Sequence, residues 1–179
     1  MMAAASGSPS LHEGVAVTVD EELRALLERE KIREVLTRYC RGVDRGDREL
    51  LKSVYHEDAI DEHGMFNGRG VDFADYIVDY LEDIPCQHVI ANHSCELRGD
   101  VAFTETYCIS FSEAGGINAT VYNRYIDRFE KRNGEWRIAH RRMVLDLTRL
   151  DPATGRFGDA DGFTFTWGSK GRSDPSYDR

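Results

Sequence analysis

The sequence contains no apolar run near the roughly 18 residues that a membrane-spanning helix requires. Its N-terminal stretch, MMAAASGSPSLHEG, lacks the basic region and the apolar core of a secretory signal. Positive charge is also scarce, because 23 Lys and Arg residues stand against 32 scattered Asp and Glu residues. A surface of that kind repels phosphate backbones and anionic membranes. We therefore expect no nucleic-acid partner, no membrane partner and a cytoplasmic location.

Cysteine pairs with metal-binding spacing are absent too. The four cysteines occur in no C-x-x-C or similar arrangement: Cys40, Cys86, Cys95 and Cys108. In a chain of this size they are typical of small buried residues in a reducing compartment, so we expect no disulfides. The 179 residues suffice for one domain with one sizeable core, and no internal repeat is visible.

Changes in hydrophobic period divide the chain into helices followed by strands. Residues 1–18 are small and polar and predict a flexible arm, while 19–150 form the domain. The helices are predicted from Asp20, as N-cap, to Val43, over 48–55, and from Asp72 to a stop at Pro85, with a short strand and a Gly-rich turn in HEDAIDEHGMFNGRG. Long strands are predicted over 87–98, 101–112, 117–131 and 135–149. Residues 151–179 are predicted to be an extended tail with a disordered end.

This order of elements predicts an α+β domain. The helices would pack into the concave face of a curved antiparallel sheet, giving a cone. Such a cone leaves a pocket at its open end, which is a common place for a small-molecule site.

Asp44 stands where the first helix should present another apolar residue. Apolar side chains recur at every third or fourth position from Ile32 to Val43, and Asp44 continues the row of Leu36 and Cys40. A carboxylate in that row faces the interior or the mouth of a cavity, where it must be paired or change its protonation state.

The strand QHVIANH offers a partner. Regular alternation puts His88, Ile90 and Asn92 on one face and His93 on the other, at the surface or sheet edge. A histidine beside a buried aspartate forms an acid/base pair, because the carboxylate fixes the imidazole tautomer. Asp44 and His88 are therefore the predicted catalytic pair, and Asn92 a predicted substrate-binding residue.

Both residues also have plainer interpretations. Asp44 could cap the turn at 46–48 or pair with Arg45 or Arg141. His88 could be a core histidine whose hydrogen bonds are all made within the protein. Arg141 shares a strand face with Ala139 and Met143, where it could hold a developing anion or simply be a solvated arginine.

Five further residues are candidates for lining the pocket: Tyr39, Asp61, His63, Asn123 and Tyr125. Tyr39 has core-like helical spacing, but a buried hydroxyl needs a partner. Asp61 and His63 lie two apart on one strand face, so they could orient a substrate or resemble a metal pair. Two ligands without a third fall short of a metal site, and no metal is predicted. Asn123 and Tyr125 share a face.

Several motifs resemble the SnoaL-like branch of the NTF2-like (cystatin-like) superfamily over about residues 20–150. They are Tyr39-x-x-x-x-Asp44, DEHG at 61–64, QHVIAN at 87–92, GDVAFTETY at 99–107 and NGEWRIAHRR at 133–142. That branch includes scytalone dehydratases, hexachlorocyclohexane dehydrochlorinases, bile-acid dehydratases and diarylpropane lyases. The superfamily also contains transport adaptors and members without chemistry.

The resemblance implies roles for particular residues. The catalytic Asp and His of several relatives match Asp44 and His88, and the dehydrochlorinase arginine falls on Arg141. Tyr39 stands at a position where those relatives have Tyr or Lys. His63 stands at the position of a substrate-binding Tyr in scytalone dehydratase. Tyr125 falls close to a pocket Asn. The second catalytic histidine or aspartate of some relatives falls near Ser110, so no relative's mechanism transfers whole.

The sequence therefore predicts a lyase without a cofactor, of the dehydratase or a related elimination type. His88, oriented by Asp44, would abstract a proton from a small aromatic or polycyclic hydroxylated compound, while Tyr39, His63 or Arg141 stabilises an oxygen. The alternatives are a non-catalytic ligand-binding or assembly module and an isomerase or epoxide hydrolase. Relatives also imply a homo-oligomer, a trimer or a dimer, formed through the outer sheet face.

Overall fold

The structure is a computed structural model that describes residues 18–155, 162 and 164–178. The elements follow the order α1 (Val19–Arg45), α2 (Arg48–Lys52), β1 (Tyr55–Glu62), β2 (Asn67–Arg69), α3 (Gly70–Tyr80), β3 (Cys86–Arg98), β4 (Val101–Ala114), β5 (Ile117–Arg132) and β6 (Glu135–Pro152), then two short 3-10 helices at Gly171–Ser173 and Pro175–Tyr177. The predicted arm lies outside the described residues except for Thr18.

α1 begins two residues earlier than predicted. Thr18 is the N-cap, because its hydroxyl accepts a hydrogen bond from the backbone N–H of Glu21 at 3.3 Å. The Glu21 carboxylate accepts one from the backbone N–H of Thr18 at 2.8 Å, which completes a capping box. Asp20 instead lies in the first turn, where its charge is favourable to the helix dipole. None of the helices in the described part of the chain combines the length and the apolar character needed to cross a bilayer.

The sheet has six strands in the order β2-β1-β6-β5-β4-β3. Its pairs are antiparallel except β1 with β6, which run parallel. The four long strands agree with the predicted ones to within three residues at each end. The α+β class, with helices packed on a curved sheet, is therefore confirmed.

The core lies between the concave face of the sheet and the inner sides of α1 and α3. Its largest fully buried apolar side chains include Ile32, Leu36, Tyr39, Tyr55, Phe73, Tyr125, Phe129 and Ile138. Gly70 allows one close approach in this core, since a Cβ there would lie 2.3 Å from the ring of Tyr55. The start of α3 is thus packed closely against β1.

The C-terminal segment, defined here as residues 164–178, differs from the extended tail that was predicted. It carries the two 3-10 helices and folds back against the end of α1. Asp174 accepts hydrogen bonds from Ser169 N–H at 2.9 Å and from the Arg45 guanidinium at 2.9 Å, and Tyr177 donates to Asp47 at 2.6 Å. These local polar contacts order the segment, and hydrophobic period could not reveal them.

Glu28 connects α1 to strands β5 and β6. Its carboxylate accepts hydrogen bonds from Lys31 at 2.8 Å, from the Trp136 indole, and from Lys131 at 2.9 Å. These donors, Lys31 first, lower the pKa of Glu28 from 4.5 to about 2. The carboxylate therefore stabilises the folded state most when it is ionised.

The sign of this linkage gives a prediction. A carboxyl group with a lowered pKa in the folded state contributes stability above pH 4.5 and loses that contribution as the pH falls toward 2. Glu28→Gln should therefore lower stability at pH 7 but flatten its decrease between about pH 5 and pH 3. Urea unfolding at a series of pH values measures this, with the exposed Glu30→Gln as the matched control. Parallel pH curves for wild type and Glu28→Gln would contradict it.

Candidate active site

Asp44 and His88 meet at the junction of α1 and β3. His88 Nδ1 lies 2.6 Å from Asp44 Oδ1, and the backbone N–H of His88 donates to Oδ2 at 3.0 Å. The side chain of His88 is 13% exposed and that of Asp44 is 11% exposed. Because an ionised carboxylate only accepts, Nδ1 carries the proton and Nε2 is left as the acceptor. No group among the described residues bonds to Nε2, so this imidazole has the form of a general base.

The other partners considered for Asp44 are engaged elsewhere. Arg45 pairs with Asp174 at 2.9 Å, and Arg141 pairs with Asp127. The turn after α1 is capped by Asp47, which accepts from Leu50 N–H at 3.1 Å. Asp44 is therefore neither a helix cap nor an arginine partner.

A cavity of about 1140 Å³ lies at the end of α1 that carries Asp44. Asp44 and Cys86 line it together with Pro85, Phe111 and residues 165–170 of the C-terminal segment. Its volume is sufficient for a compound of drug size. Asp44 thus lies in the wall of a space that can admit a ligand, with His88 bonded to it.

Three side chains here have the donor types of a metal site. The ligand atoms of Asp44, Cys86 and His88 all lie within 4.8 Å of one another. However, burial raises the pKa of the Cys86 thiol, and the Lys170 ammonium lies 3.2 Å from its sulfur. A protonated thiol beside a cation is a poor ligand. The residues fit a hydrogen-bonded cluster better than a metal centre.

Arg141 is fully buried inside the cone. It donates two parallel hydrogen bonds to Asp127, at 2.8 and 2.7 Å. Its guanidinium carbon lies 4.2 Å from the ring centre of Tyr39 and 4.0 Å from that of Tyr125. The alternative of a solvated strand arginine is wrong, because β6 turns this residue inward, where Asp127 compensates its charge.

Several buried side-chain nitrogens of the interior have no hydrogen-bond partner in the described part of the chain. Arg141 Nη1 and Asn123 Nδ2 are donors, and His93 Nε2 donates or accepts according to the tautomer of its ring. A buried donor without an acceptor costs about 1–3 kcal/mol. These atoms would gain most from an acceptor oxygen that enters the cone, either of water or of a ligand.

Asp61 and His63 form a second pair, deeper in the fold. His63 Nδ1 lies 2.9 Å from Asp61 Oδ1, and the Tyr55 hydroxyl donates to Asp61 Oδ2 at 2.6 Å. Asp61 is fully buried, and His63 stacks on Phe73 with ring centres 4.4 Å apart. The pair faces the aromatic interior. No third metal ligand joins these two within the described residues.

Asn92 does not line the interior, which corrects the prediction for it. β3 contains an irregularity between Ile90 and His93, so Ala91 and Asn92 are both exposed. The shift also turns His93 inward, where its Nδ1 lies 2.8 Å from the Thr106 hydroxyl. The assumption of a regular strand was therefore wrong, and both histidines of QHVIANH face the concave side.

Comparisons with known proteins agree with this architecture. The model of the SnoaL-like domain family matches residues 24–142. The chain belongs to this family. No curated protein sequence matches it.

Solved structures resemble the SnoaL-like domain closely in fold. Rv3472 of Mycobacterium tuberculosis, a protein of unknown function solved as a variant, is 26% identical with a TM-score of 0.63, covering 74% of this chain and 78% of its own. An NTF2-like protein with a cystatin-like fold from Novosphingobium aromaticivorans is 26% identical, TM-score 0.59, covering 72% and 90%. Hexachlorocyclohexane dehydrochlorinase LinA type 2 is 18% identical, TM-score 0.67, covering 79% and 99%. The predicted NTF2-like fold is confirmed.

Sequence reasoning about this SnoaL-like domain missed three residues that the structure places at the site. Asp127 continues the alternation of Asn123 and Tyr125, so its inward position was visible in the sequence, but its pairing with Arg141 was not. Cys86 stands two residues before His88 on the same strand face. Lys170 belongs to the C-terminal segment and gave no pattern at all.

The Arg141–Asp127 pair should be costly to break. Asp127→Ala would leave a fully buried guanidinium without its counter-ion, and we expect a loss of about 3–5 kcal/mol in unfolding free energy. Asp151→Ala, which breaks the exposed pair with Arg149, is the matched control and should cost less than about 1 kcal/mol. Urea denaturation measures both. Equal, small losses would show that the buried pair does not hold the interior together.

Proposed function

We propose that this SnoaL-like protein is a cofactor-independent lyase that eliminates water or a related leaving group from a small aromatic or polycyclic hydroxylated compound. The observation that carries the proposal is the contact of 2.6 Å between His88 Nδ1 and Asp44, which leaves Nε2 as a base whose partner, Asp44, lines a cavity. A carboxylate that also binds the backbone N–H of His88 holds the ring in one orientation.

In the proposed reaction His88 Nε2 removes a proton from carbon. The electron pair of the broken C–H bond forms a double bond as the C–O bond breaks. The leaving oxygen takes the proton back from the His88 imidazolium and departs as water, which returns His88 to its neutral form. Asp44 stabilises the imidazolium that forms. The unpartnered donors of Arg141 and Asn123, with the Tyr39 hydroxyl, would bind an oxygen that gains charge.

One structural neighbour is a hexachlorocyclohexane dehydrochlorinase, whose name denotes the removal of hydrogen chloride, which is an elimination. At 18% identity that likeness bears on the fold, so the support for chemistry comes from the Asp44–His88 pair itself. An isomerase or an epoxide hydrolase could use the same base on the same scaffold.

The pair is tested by removing each member. His88→Ala and Asp44→Ala should each lower turnover by about 100- to 10,000-fold, because the base or its orientation is lost. Aromatic diols, hydroxy-ketones and steroids are screened with wild type by mass spectrometry, and the variants are then assayed on the substrate found.

His140→Ala is the matched control, since His140 is half-buried on β6 and lies near Glu62, away from the cavity. It should retain wild-type turnover. Circular dichroism establishes that all variants are folded. Turnover within a few fold of wild type in both His88→Ala and Asp44→Ala would remove the assignment.

One observation favours a non-catalytic ligand-binding module instead. Asp44 lines the cavity, whereas His88 is not among its lining residues. A binding protein would hold its ligand against Asp44 and Cys86 without needing the imidazole. In that case the screen yields ligands that raise the melting temperature but are recovered unchanged.

A homo-oligomer, dimer or trimer, is also part of the proposal. Apolar side chains at outward-facing positions of β3, β4 and β5 are between 37% and 44% exposed: Val89, Phe103, Tyr107 and Ile126. Covering them with a second copy would remove apolar surface from water. Light scattering should give two or three times the mass of one chain, and Tyr107→Lys should shift it toward the monomer. A wild-type monomer at high concentration would contradict the expectation.

A further inference from the structure

The C-terminal segment forms one wall of the cavity and lies beyond the part of the chain that the SnoaL-like family model matches. Residues 165–170 all line the cavity. The ion pair of Arg45 with Asp174 and the hydrogen bond of Tyr177 to Asp47 hold the segment against α1. It is therefore a feature of this chain that the family match does not account for.

Lys170 places a cation in that wall, next to the catalytic pair. Its Nζ donates to the Val43 carbonyl at 3.3 Å and to Cys86 Sγ at 3.2 Å. Cys86 Sγ in turn lies 3.7 Å from Asp44 Oδ1. One sulfur thus contacts both Lys170 and the carboxylate that orients His88.

The contact with Val43 alone would make Lys170 a simple helix-end cation. However, an ammonium group has three donors, and two are used, on a carbonyl and a thiol. Among the described residues no carboxylate lies within ion-pair distance of Lys170, whereas Arg45, the other cation of the lining, is paired with Asp174. The cavity therefore contains one lysine with a donor and a charge available to a ligand.

The rest of the lining limits what that ligand can be. Phe111, Phe165 and Trp167 offer aromatic surface, and each is between 44% and 55% exposed. Glu82 and Asp83 add negative charge to the same lining. A polyanion such as a phosphate ester would be repelled by these acids. A planar ring with a single acidic oxygen could place that oxygen on Lys170 and its ring against the aromatic side chains.

We propose that Lys170 is a specificity-determining residue that binds one oxygen of an aromatic monoanion, a carboxylate or an ionised hydroxyl, beside the Asp44–His88 pair. This inference rests on the proposed function for the reaction that follows, but the binding itself depends only on the cavity. The oxygen accepts a hydrogen bond from Nζ, and the ring lies against the aromatic lining. Lys170 thereby selects the substrate and fixes its position relative to His88.

The test uses the full chain and three probes with the same ring: naphthoate, naphthalenemethanol and naphthyl phosphate. Calorimetry measures their dissociation constants, and quenching of Trp167 fluorescence, absent in Trp167→Phe, locates binding in this cavity. A charged hydrogen bond of this kind should make naphthoate bind about tenfold or more tightly than the alcohol. The phosphate ester should bind more weakly than naphthoate.

Lys170→Met is the decisive variant, because it keeps the stem that passes close to Gly46 and removes the charge. It should bind naphthoate and naphthalenemethanol within about twofold of each other, whereas Lys170→Arg should keep the preference. Arg172→Met removes a charge from the same segment at a residue whose side chain is 79% exposed, and should also keep the preference. Thermal melting tests whether each variant is folded. If Lys170→Met is unfolded, Lys170→Ala is used in its place.

An unchanged preference in Lys170→Met, tighter binding of the phosphate ester, or no binding of naphthoate to wild type would each overturn the inference. The proposed function fails separately. If wild type prefers naphthoate through Lys170 but no hydroxylated aromatic acid is converted, the binding inference stands and the lyase assignment does not.

Discussion

The Asp44 carboxylate is the constraint on which the site depends. One oxygen holds the His88 ring and the other holds the His88 backbone, so a single side chain ties the end of α1 to the edge strand β3. Because both oxygens are used, the imidazole has one tautomer and one orientation. The same contact that joins α1 to β3 also orients the imidazole that we propose as the base. The Asp44–His88 contact therefore serves both the packing of α1 on β3 and the proposed chemistry.

The interior behind this pair is organised by charge as well as by apolar packing. Arg141 and Asp127 are both fully buried, and the rings of Tyr39 and Tyr125 both lie close to the guanidinium. A buried ion pair of this kind contributes little net stability compared with apolar residues, but it fixes geometry. It holds an unpartnered donor of Arg141 in place inside the cone. Leaving that donor without an acceptor costs free energy, and this cost is removed when a ligand or a water molecule supplies an oxygen.

The sequence predicted much of the candidate site because inward-facing residues follow a regular period. Asp44 was found by its row on α1, and Asn123 and Tyr125 by alternation on β5. Asn92 and His93 were misplaced because the irregularity in β3 depends on pairing with β4, which no single strand records. Lys170 was not found, since hydrogen bonds to Asp174 and Asp47 rather than a hydrophobic pattern place its segment.

The sequence alone determined the helices, the four long strands and the α+β class, because periods of 3.6 and 2 are local properties of the chain. It also determined the acidic surface charge and the identity of the Asp44–His88 pair as candidates. The tertiary structure alone decided which charges meet. Arg141 bonds to Asp127 rather than Asp44, and Lys170 reaches Cys86 across 84 positions of sequence, because folding sets distances between residues whose separation in the chain carries no information about them.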